Sequence, residues 1–260
     1  MPASRQPLSV VIITLNAAAQ LEACLQSARF ADEIIVVDSG SADGTPALAE
    51  RYGAKVIQQD WLGFGRQKQF AVEAASYDWV LCLDADERVS PALQASIENT
   101  LNTSSTEALR AAYRFPRCNR FLGRYLKHGE GYPDWSLRLF DRRQGRWSDD
   151  AVHEKVVSQG SIGELTGDLL HDSAESLASY LTKQNRYTTL AAEMALAAGK
   201  RASFGRIVLS PLLRFFKFYV VRQGFRDGLP GLIHISIGCF NSFTKYSKML
   251  ERQHSNAALR

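Results

Sequence analysis

The chain has 260 residues, 45% of them hydrophobic and 22% charged, which is enough to bury a sizeable core and too apolar for a disordered segment. Its net charge of +4 conceals an imbalance: residues 1–109 carry 7 Lys/Arg against 14 Asp/Glu, and residues 110–260 carry 24 against 13, so the two parts face different partners. Cys24, Cys82, Cys118 and Cys239 form no CxxC pair, which argues against a disulfide framework or a zinc site and for free thiols in a cytoplasmic chain.

The N-terminus, MPASRQP, has no apolar signal-peptide core, and no uninterrupted apolar run reaches the ~20 residues that span a bilayer. LSVVIIT (8–14), EIIVVD (33–38), AKVIQ (54–58) and DWVLCLD (78–84) are short, β-branched or near-continuously apolar, as strands covered on both faces are. Between them the pattern predicts helices over 18–29, over 46–52 with Pro46 at the first helical position after Thr45, and over 66–75; Ser90-Pro91 opens another. Such alternation predicts an α/β fold, a mostly parallel central sheet with flanking helices. Ligands of such sheets collect at the carboxyl ends of the strands, where Asn16, Asp38 and Asp84 fall.

From residue 110 to 170 the strand-like pieces AAYRFPR, SLRLF, HEKVV and IGELTGDLL predict a mixed extension of the sheet. From Ser173 onward Leu177, Leu181, Ala191, Met194 and Ala198 recur at turn spacing, so a helical C-terminal appendage over 173–260 is expected to follow a domain over 1–172.

Three acids in LCLDADE, Asp84, Asp86 and Glu87, stand where an apolar run ends and repel one another, so a positive group belongs among them. On a continuous strand Asp84 and Asp86 would share one side and address one divalent cation. The bland reading is an acidic loop. In VVDSGSADGT, Asp38 ends a strand ahead of a small Ser39-Gly40-Ser41 turn, whereas Asp43 and Thr45 read as capping groups. No GxGxxG fingerprint follows the first strand, so a dinucleotide cradle is not expected.

TLNAAAQLEACL, IIVVDSGSADGT and GFGRQKQFAVEAASYDWVLCLDADE, in that order and at those intervals, resemble the nucleotide-diphospho-sugar domain of family-2 glycosyltransferases. The resemblance spans about residues 8–170 and implies a GT-A type fold. The RLF and VHE segments and the helical tail resemble the subgroup that adds a sugar to the lipopolysaccharide inner core, such as its β-1,4-glucosyltransferases. It implies that Thr14 and Asn16 line the nucleotide, Asp38 contacts the base, Lys68 stands where the family has an Arg near base and phosphates, Asp84 steadies ribose or sugar, and Asp86 binds Mg2+ or Mn2+ with Asp84 beside it. Lys for Arg retains the charge but loses a planar bidentate donor. It further implies an inverting mechanism with a carboxylate base downstream. Glu154, in Val152-His153-Glu154, fits best, with a salt bridge to Arg138 or Arg142 as the bland alternative. Asp134 is the runner-up, and Asp149 and Asp150 complete the candidates. His171 resembles a C-terminal metal ligand found in some enzymes of this fold, with a packed core histidine as the alternative.

Arg110, Arg114, Arg117, Arg120, Arg124 and Lys127, interleaved with aromatics, suit an anionic acceptor beside a sugar-nucleotide domain better than a nucleic acid, with a solvated sheet edge as the plain alternative. Residues 206–226, with Arg206, Arg214 and Lys217 on one helical side of an apolar cylinder, and the stretch 229–244, which lacks Lys, Arg, Asp and Glu, predict helices lying on an anionic membrane surface. The sequence therefore predicts a metal-dependent, inverting hexosyltransferase, peripheral on the cytoplasmic face of the inner membrane, using a nucleotide-diphosphate sugar and a lipid-linked saccharide. A transferase acting on polyprenyl phosphate and a sugar-nucleotide-binding scaffold without turnover are the alternatives.

Overall fold

The computed structural model describes residues 5–102, 109–150, 154–173 and 176–258, in two compact units: Met1–Cys118 with Asp134–Asp172, and Asn119–Pro133 with Ser173–Arg260. The expected boundary at 172 thus omits one feature, because the 119–133 excursion goes with the helices.

In the first unit, β1 (Leu8–Thr14), β2 (Glu33–Asp38), β3 (Lys55–Gln58) and β4 (Trp79–Asp84) form the parallel part of the sheet in the order β3-β2-β1-β4. Their apolar runs are covered on both faces, one core cluster containing Val10, Ile12, Leu81 and Leu83 and the other Val11, Ile35, Val37 and Cys82. The crossovers carry α1 (Ala18–Ser27), α2 (Thr45–Arg51) and α3 (Phe64–Glu73), each within two residues of the sequence expectation. Register aligns the strand ends: Thr14 lies opposite Asp38, and Ile13 opposite Asp84.

Past Asp84 the structure departs from simple alternation. β4 stops there, Ala85-Asp86 make a turn, and β5 (Glu87–Val89) begins a new direction, so Asp84 and Asp86 do not share a strand face as an unbroken strand would dictate. α4 (Pro91–Leu101) follows, its Ser90 hydroxyl accepting the Leu93 N–H at 3.3 Å.

The expected mixed extension is present. β6 (Ala112–Phe121) and β8 (Asp134–Asp141) lie antiparallel, with β8 also antiparallel to β4; β11 (Ile162–Glu164) pairs parallel with β6, and β12 (Leu169–His171) antiparallel with β5. β9 (Gly145–Trp147) and β10 (Val156–Ser158) form a separate ribbon. Gly167 makes the turn into β12 at φ 98°, where a Cβ would lie 2.2 Å from the Leu93 backbone nitrogen.

In the second unit, β7 (Arg124–Tyr125) turns back on the end of β6, and the rest is helical: α5 (Leu177–Ala197), α6 (Phe204–Phe215) and α7 (Gly228–Ala258). The 206–226 stretch is not one straight helix. Pro211 lies inside α6 without an N–H to donate, residues 216–221 widen into a π-helix, Gln223 adopts φ 54°, and residues 224–227 form a 3-10 turn. Arg214 pairs with Glu130, so the expected cationic stripe loses its middle member to the protein itself. The small α5–α7 core of Ala192, Ala195 and Met249 leaves many apolar side chains outside. Phe204, Leu212, Leu213 and Phe216 are 58–82% exposed. Among the described residues, no helix is long and apolar enough to cross a membrane.

Candidate functional site

At the ends of β1 and β2 two loops are stitched together. Asn16, at φ 50°, accepts the Ala42 N–H on its side-chain oxygen at 2.9 Å and donates its own N–H to the Ser41 hydroxyl at 2.7 Å. Asp43 and Thr45 cap at two places: their side chains accept the N–H groups of Ala18 and Ala17 at the start of α1, at 3.0 and 2.9 Å, and Asp43 also accepts the Thr45 N–H at 3.1 Å in the turn that opens α2. Asn16 is exposed, whereas Thr14 is buried and donates to Asp38 at 2.9 Å.

Asp38, expected to face a base, turns inward. It is fully buried, and its two oxygens accept from the Thr14 and Ser41 hydroxyls and from the Gly40 and Ser41 N–H groups, a set that fills a carboxylate's acceptor capacity. Burial raises the cost of its charge, but these four donors hold its pKa below the usual carboxylate value. Its influence on a ligand passes through the 39–41 turn that it shapes.

The acid corner contains cations of its own. Lys68 on α3 reaches Asp84 at 3.0 Å and Glu154 at 3.3 Å, and Arg138 on β8 reaches Asp84 at 2.8 Å and Glu87 at 3.1 Å. Both lie against the Trp147 ring, at 4.7 and 5.4 Å from its centroid. Trp147 in turn donates to the Cys82 sulfur at 3.3 Å, and burial pushes that thiol up to about 11. Burial opposes the charge of Asp84, yet Arg138 and Lys68 hold its carboxyl far below the usual range. Glu87, at 0% exposure, goes the other way: burial, with Asp84 beside it, pushes it up despite Arg138 and Arg117. The Arg138 second terminal nitrogen is buried and has no hydrogen-bond partner among the described residues.

Asp86 stands apart from this network. Its carboxylate lies 3.2 Å from His171 Nε2, brought there by the β5–β12 pairing that sets His171 opposite Glu87. Asp134, at the start of β8, pairs with Arg117 at 2.8 Å, and Arg117 also reaches Glu87 at 3.6 Å. Asp149 is exposed and lies 3.9 Å from Arg66 Nε. Asp150 is exposed, and His153 lies outside the described residues. Glu154 pairs with Lys68, not with Arg138 or Arg142; Arg142 instead donates to the carbonyls of Val72, Glu73 and Ala75.

Four carboxylates here (Asp84, Glu87, Asp134, Glu154) pair with three cations (Lys68, Arg117, Arg138), and Asp86, beside His171, brings the surplus of carboxylates over lysine and arginine to two. That deficit, with a carboxylate and an imidazole nitrogen adjacent at Asp86 and His171, fits a divalent ion. Among the described residues no three such side chains converge as a ready-made cage, which suits an ion taking its remaining ligands from phosphate oxygens and water. Of the two DxD acids, Asp84 has a cation on each of its oxygens.

Sequence reasoning included Glu87 among the three acids of LCLDADE but missed Trp147, and it named Arg138 only as an alternative partner of Glu154, not as the cation that holds Asp84 and Glu87. The available signal was in SLRLF, where an arginine occupies the same strand face as Phe140, a buried position that requires a carboxylate partner.

The sequence profile described as Glycosyl transferase family 2 matches residues 9–162. The chain is 34% identical, over 95% of its length and 93% of the relative's, to the lipopolysaccharide core biosynthesis glycosyltransferase LpsC of Rhizobium meliloti, and 32% identical, over 95% and 90%, to an uncharacterized glycosyltransferase of Rickettsia felis. Among solved structures it is similar to S. aureus TarS 1–349 in complex with UDP-GlcNAc, with 14% identity, a TM-score of 0.49 and coverage of 97% and 92%. It is also similar to glucosyl-3-phosphoglycerate synthase of Mycobacterium tuberculosis in complex with Mn2+, UDP and glucosyl-3-phosphoglycerate, with 27% identity and a TM-score of 0.36; that match spans only 44% of each chain.

Proposed function

Since the chain belongs to glycosyl transferase family 2 and is a glycosyltransferase of GT-A type fold, we propose that it transfers a hexose, glucose in the simplest case, from a nucleotide-diphosphate sugar to a lipid-linked saccharide of the lipopolysaccharide-core kind, with inversion and with a divalent cation. The observation that carries the reading is the charge deficit beside Asp86 and His171, at the carboxyl edge of a parallel sheet.

In this reading the loops at Asn16 and at 39–41, the latter held in shape by Asp38 and Thr14, wall the nucleotide. Asp86 and His171 hold Mg2+ or Mn2+, and Asp84, fixed by Lys68 and Arg138, flanks the ribose or sugar. When bound, the ion neutralises charge on the departing diphosphate as a Lewis acid. Lys68 adds a fixed positive charge on the same side. Glu154 takes the proton from the incoming hydroxyl, with Asp134 the second candidate for that step. Lys68 contacts Glu154 as well as Asp84, so it couples donor side and base electrostatically.

The relative involved in lipopolysaccharide core biosynthesis supports a lipid-linked acceptor. The exposed apolar side chains of α6, in a stretch with seven Lys/Arg and no acid between Met194 and Arg226, support attachment to an anionic membrane surface, here assigned to the cytoplasmic face of the inner membrane. Purified protein tested with a panel of nucleotide sugars, Mn2+ or Mg2+ and extracted core lipid is expected to release the nucleoside diphosphate. Glu154→Gln should lower turnover by about 10²-fold or more with nucleotide binding kept, and Asp86→Asn should weaken metal-dependent nucleotide binding. Turnover unchanged by chelator would refute the metal assignment, and failure to bind any nucleotide sugar would refute the reading as a whole.

A further inference from the structure

Phe64 opens α3 and Lys68 follows it by four positions, so the two side chains share one face of the helix about one turn apart. Lys68 uses that face to reach Asp84 and Glu154. Phe64 instead leaves its ring 57% exposed, next to Trp61 at 48% and Leu62 at 44%. Gly65 presses the same end of the helix against the segment that carries Glu154. A Cβ on it would collide with the Ser148 carbonyl oxygen and lie 3.4 Å from the Glu154 Cβ.

The segment that displays these side chains is held from both sides. Gln67, fully buried, donates from its amide to the Ser39 hydroxyl at 3.0 Å and to the Gln59 carbonyl at 3.2 Å, and accepts the Leu62 N–H at 3.2 Å. One turn along α3, Gln69 accepts the backbone N–H of Trp147 at 3.0 Å, which ties the helix to β9. Trp61 and Phe64 meet edge to face, with centroids 4.8 Å apart and planes at 86°. That contact uses the face of one ring and the edge of the other, so an open ring face remains. An apolar surface fixed in place and left open beside a charged site is suited to recognition.

The chemistry of the surface selects its occupant. Neither ring carries charge, and the negative face of an aromatic ring attracts weakly positive C–H groups, which a pyranose presents on one side while its hydroxyls stay at its edge. The nucleotide has its walls at Asn16 and 39–41, on the β1 and β2 side, whereas an incoming sugar must bring a hydroxyl to Glu154. We propose that the Trp61–Phe64 pair is a stacking platform for a pyranose ring of the acceptor saccharide, which it positions for Glu154. The proposal rests on the reading above in which Glu154 takes the acceptor's proton, and it adds the side chains that hold the acceptor.

The test uses the full-length protein and two forms of the acceptor: extracted core lipid, and the same core saccharide freed of its lipid. Trp61→Ala/Phe64→Ala is compared with Trp61→Phe/Phe64→Tyr, which keeps both rings. Binding of the lipid-free saccharide is measured by calorimetry as well as through KM, and titration with a nucleotide sugar reports separately on the donor site. The expected result is a rise of about 10-fold or more in Kd and KM for the lipid-free saccharide in the alanine variant, with the ring-keeping variant near wild type. Nucleotide-sugar affinity and thermal unfolding should change little, because both side chains are already exposed. A loss confined to the core lipid would assign the rings to the lipid surface, and an equal loss of nucleotide-sugar affinity would assign them to the base. Either result, or unchanged values with both acceptor forms, would overturn the platform while leaving the transferase reading intact. Wild-type protein that binds a nucleotide sugar yet neither binds nor glycosylates the saccharide would refute the acceptor reading itself, and the platform with it.

Discussion

Arg138→Met is the most informative single change in the first unit. The wild-type guanidinium, 6% exposed, donates to Asp84 at 2.8 Å and to Glu87 at 3.1 Å. Methionine would leave a fully buried Glu87 and a half-buried Asp84 to repel each other, with Arg117 at 3.6 Å and Lys68 at 3.0 Å as the remaining partners. Removing one partner of a buried ion pair costs about 3–5 kcal/mol, which at this chain length lowers Tm by roughly 10 °C. The deficit has a pH signature. Glu87 is already pushed up by burial and by Asp84, and losing Arg138 pushes it further, so the variant's folded state recovers stability as pH falls through that raised value. Denaturant unfolding at pH 8 and pH 5 should therefore give a larger loss at pH 8. In a Glu87→Gln background the same Arg138→Met change should cost less, because one of the stranded charges is already gone. A loss below about 1 kcal/mol, or the same loss at both pH values, would refute the buried-network argument.

Asp38→Asn should destabilise by about 2–3 kcal/mol, since an amide nitrogen would confront donors that now meet a carboxylate. Because the Asp38 pKa is depressed by those donors, its contribution is present above about pH 4 and lost as pH falls below that, so the variant should show a flatter acid limb in its stability profile. Gly167→Ala should cost roughly 2 kcal/mol or more by the same unfolding measurement, from left-handed backbone strain and the close approach to Leu93. Leu212→Asp/Leu213→Asp should reduce co-sedimentation with anionic vesicles about 10-fold or more with thermal stability retained, because both side chains are already outside the core.

What the sequence revealed and what it withheld divide by chain distance. The parallel strands were legible because a strand buried on both faces must be apolar throughout, and Val10 to Ile12, Val36-Val37 and Leu81 to Leu83 are. The end of β4 was less so: nothing local distinguishes Asp84-Ala85-Asp86 as turn from the same residues as strand, and the β5–β12 pairing that decides it joins segments about eighty residues apart. The ion network was hidden for the same reason, its cations arriving on α3, β6 and β8. Asp38 was found as a strand-end acid, but its inward orientation depends on Ser41 and Thr14 closing over it. In the second unit the apolar and basic composition was legible, whereas the diversion of Arg214 to Glu130 depended on a partner 84 positions away.

The assignment of the 119–133 segment to the helical unit has a practical corollary for engineering. The backbone passes between the units three times, at 118/119, 133/134 and 172/173. Cutting the chain at 172 would not liberate a clean catalytic module: Glu130 would lose its arginine, His128 its aspartate, and Gly129 the carbonyl of Arg222. Chimaeras between relatives must therefore exchange the short insertion and the helical tail as a matched set.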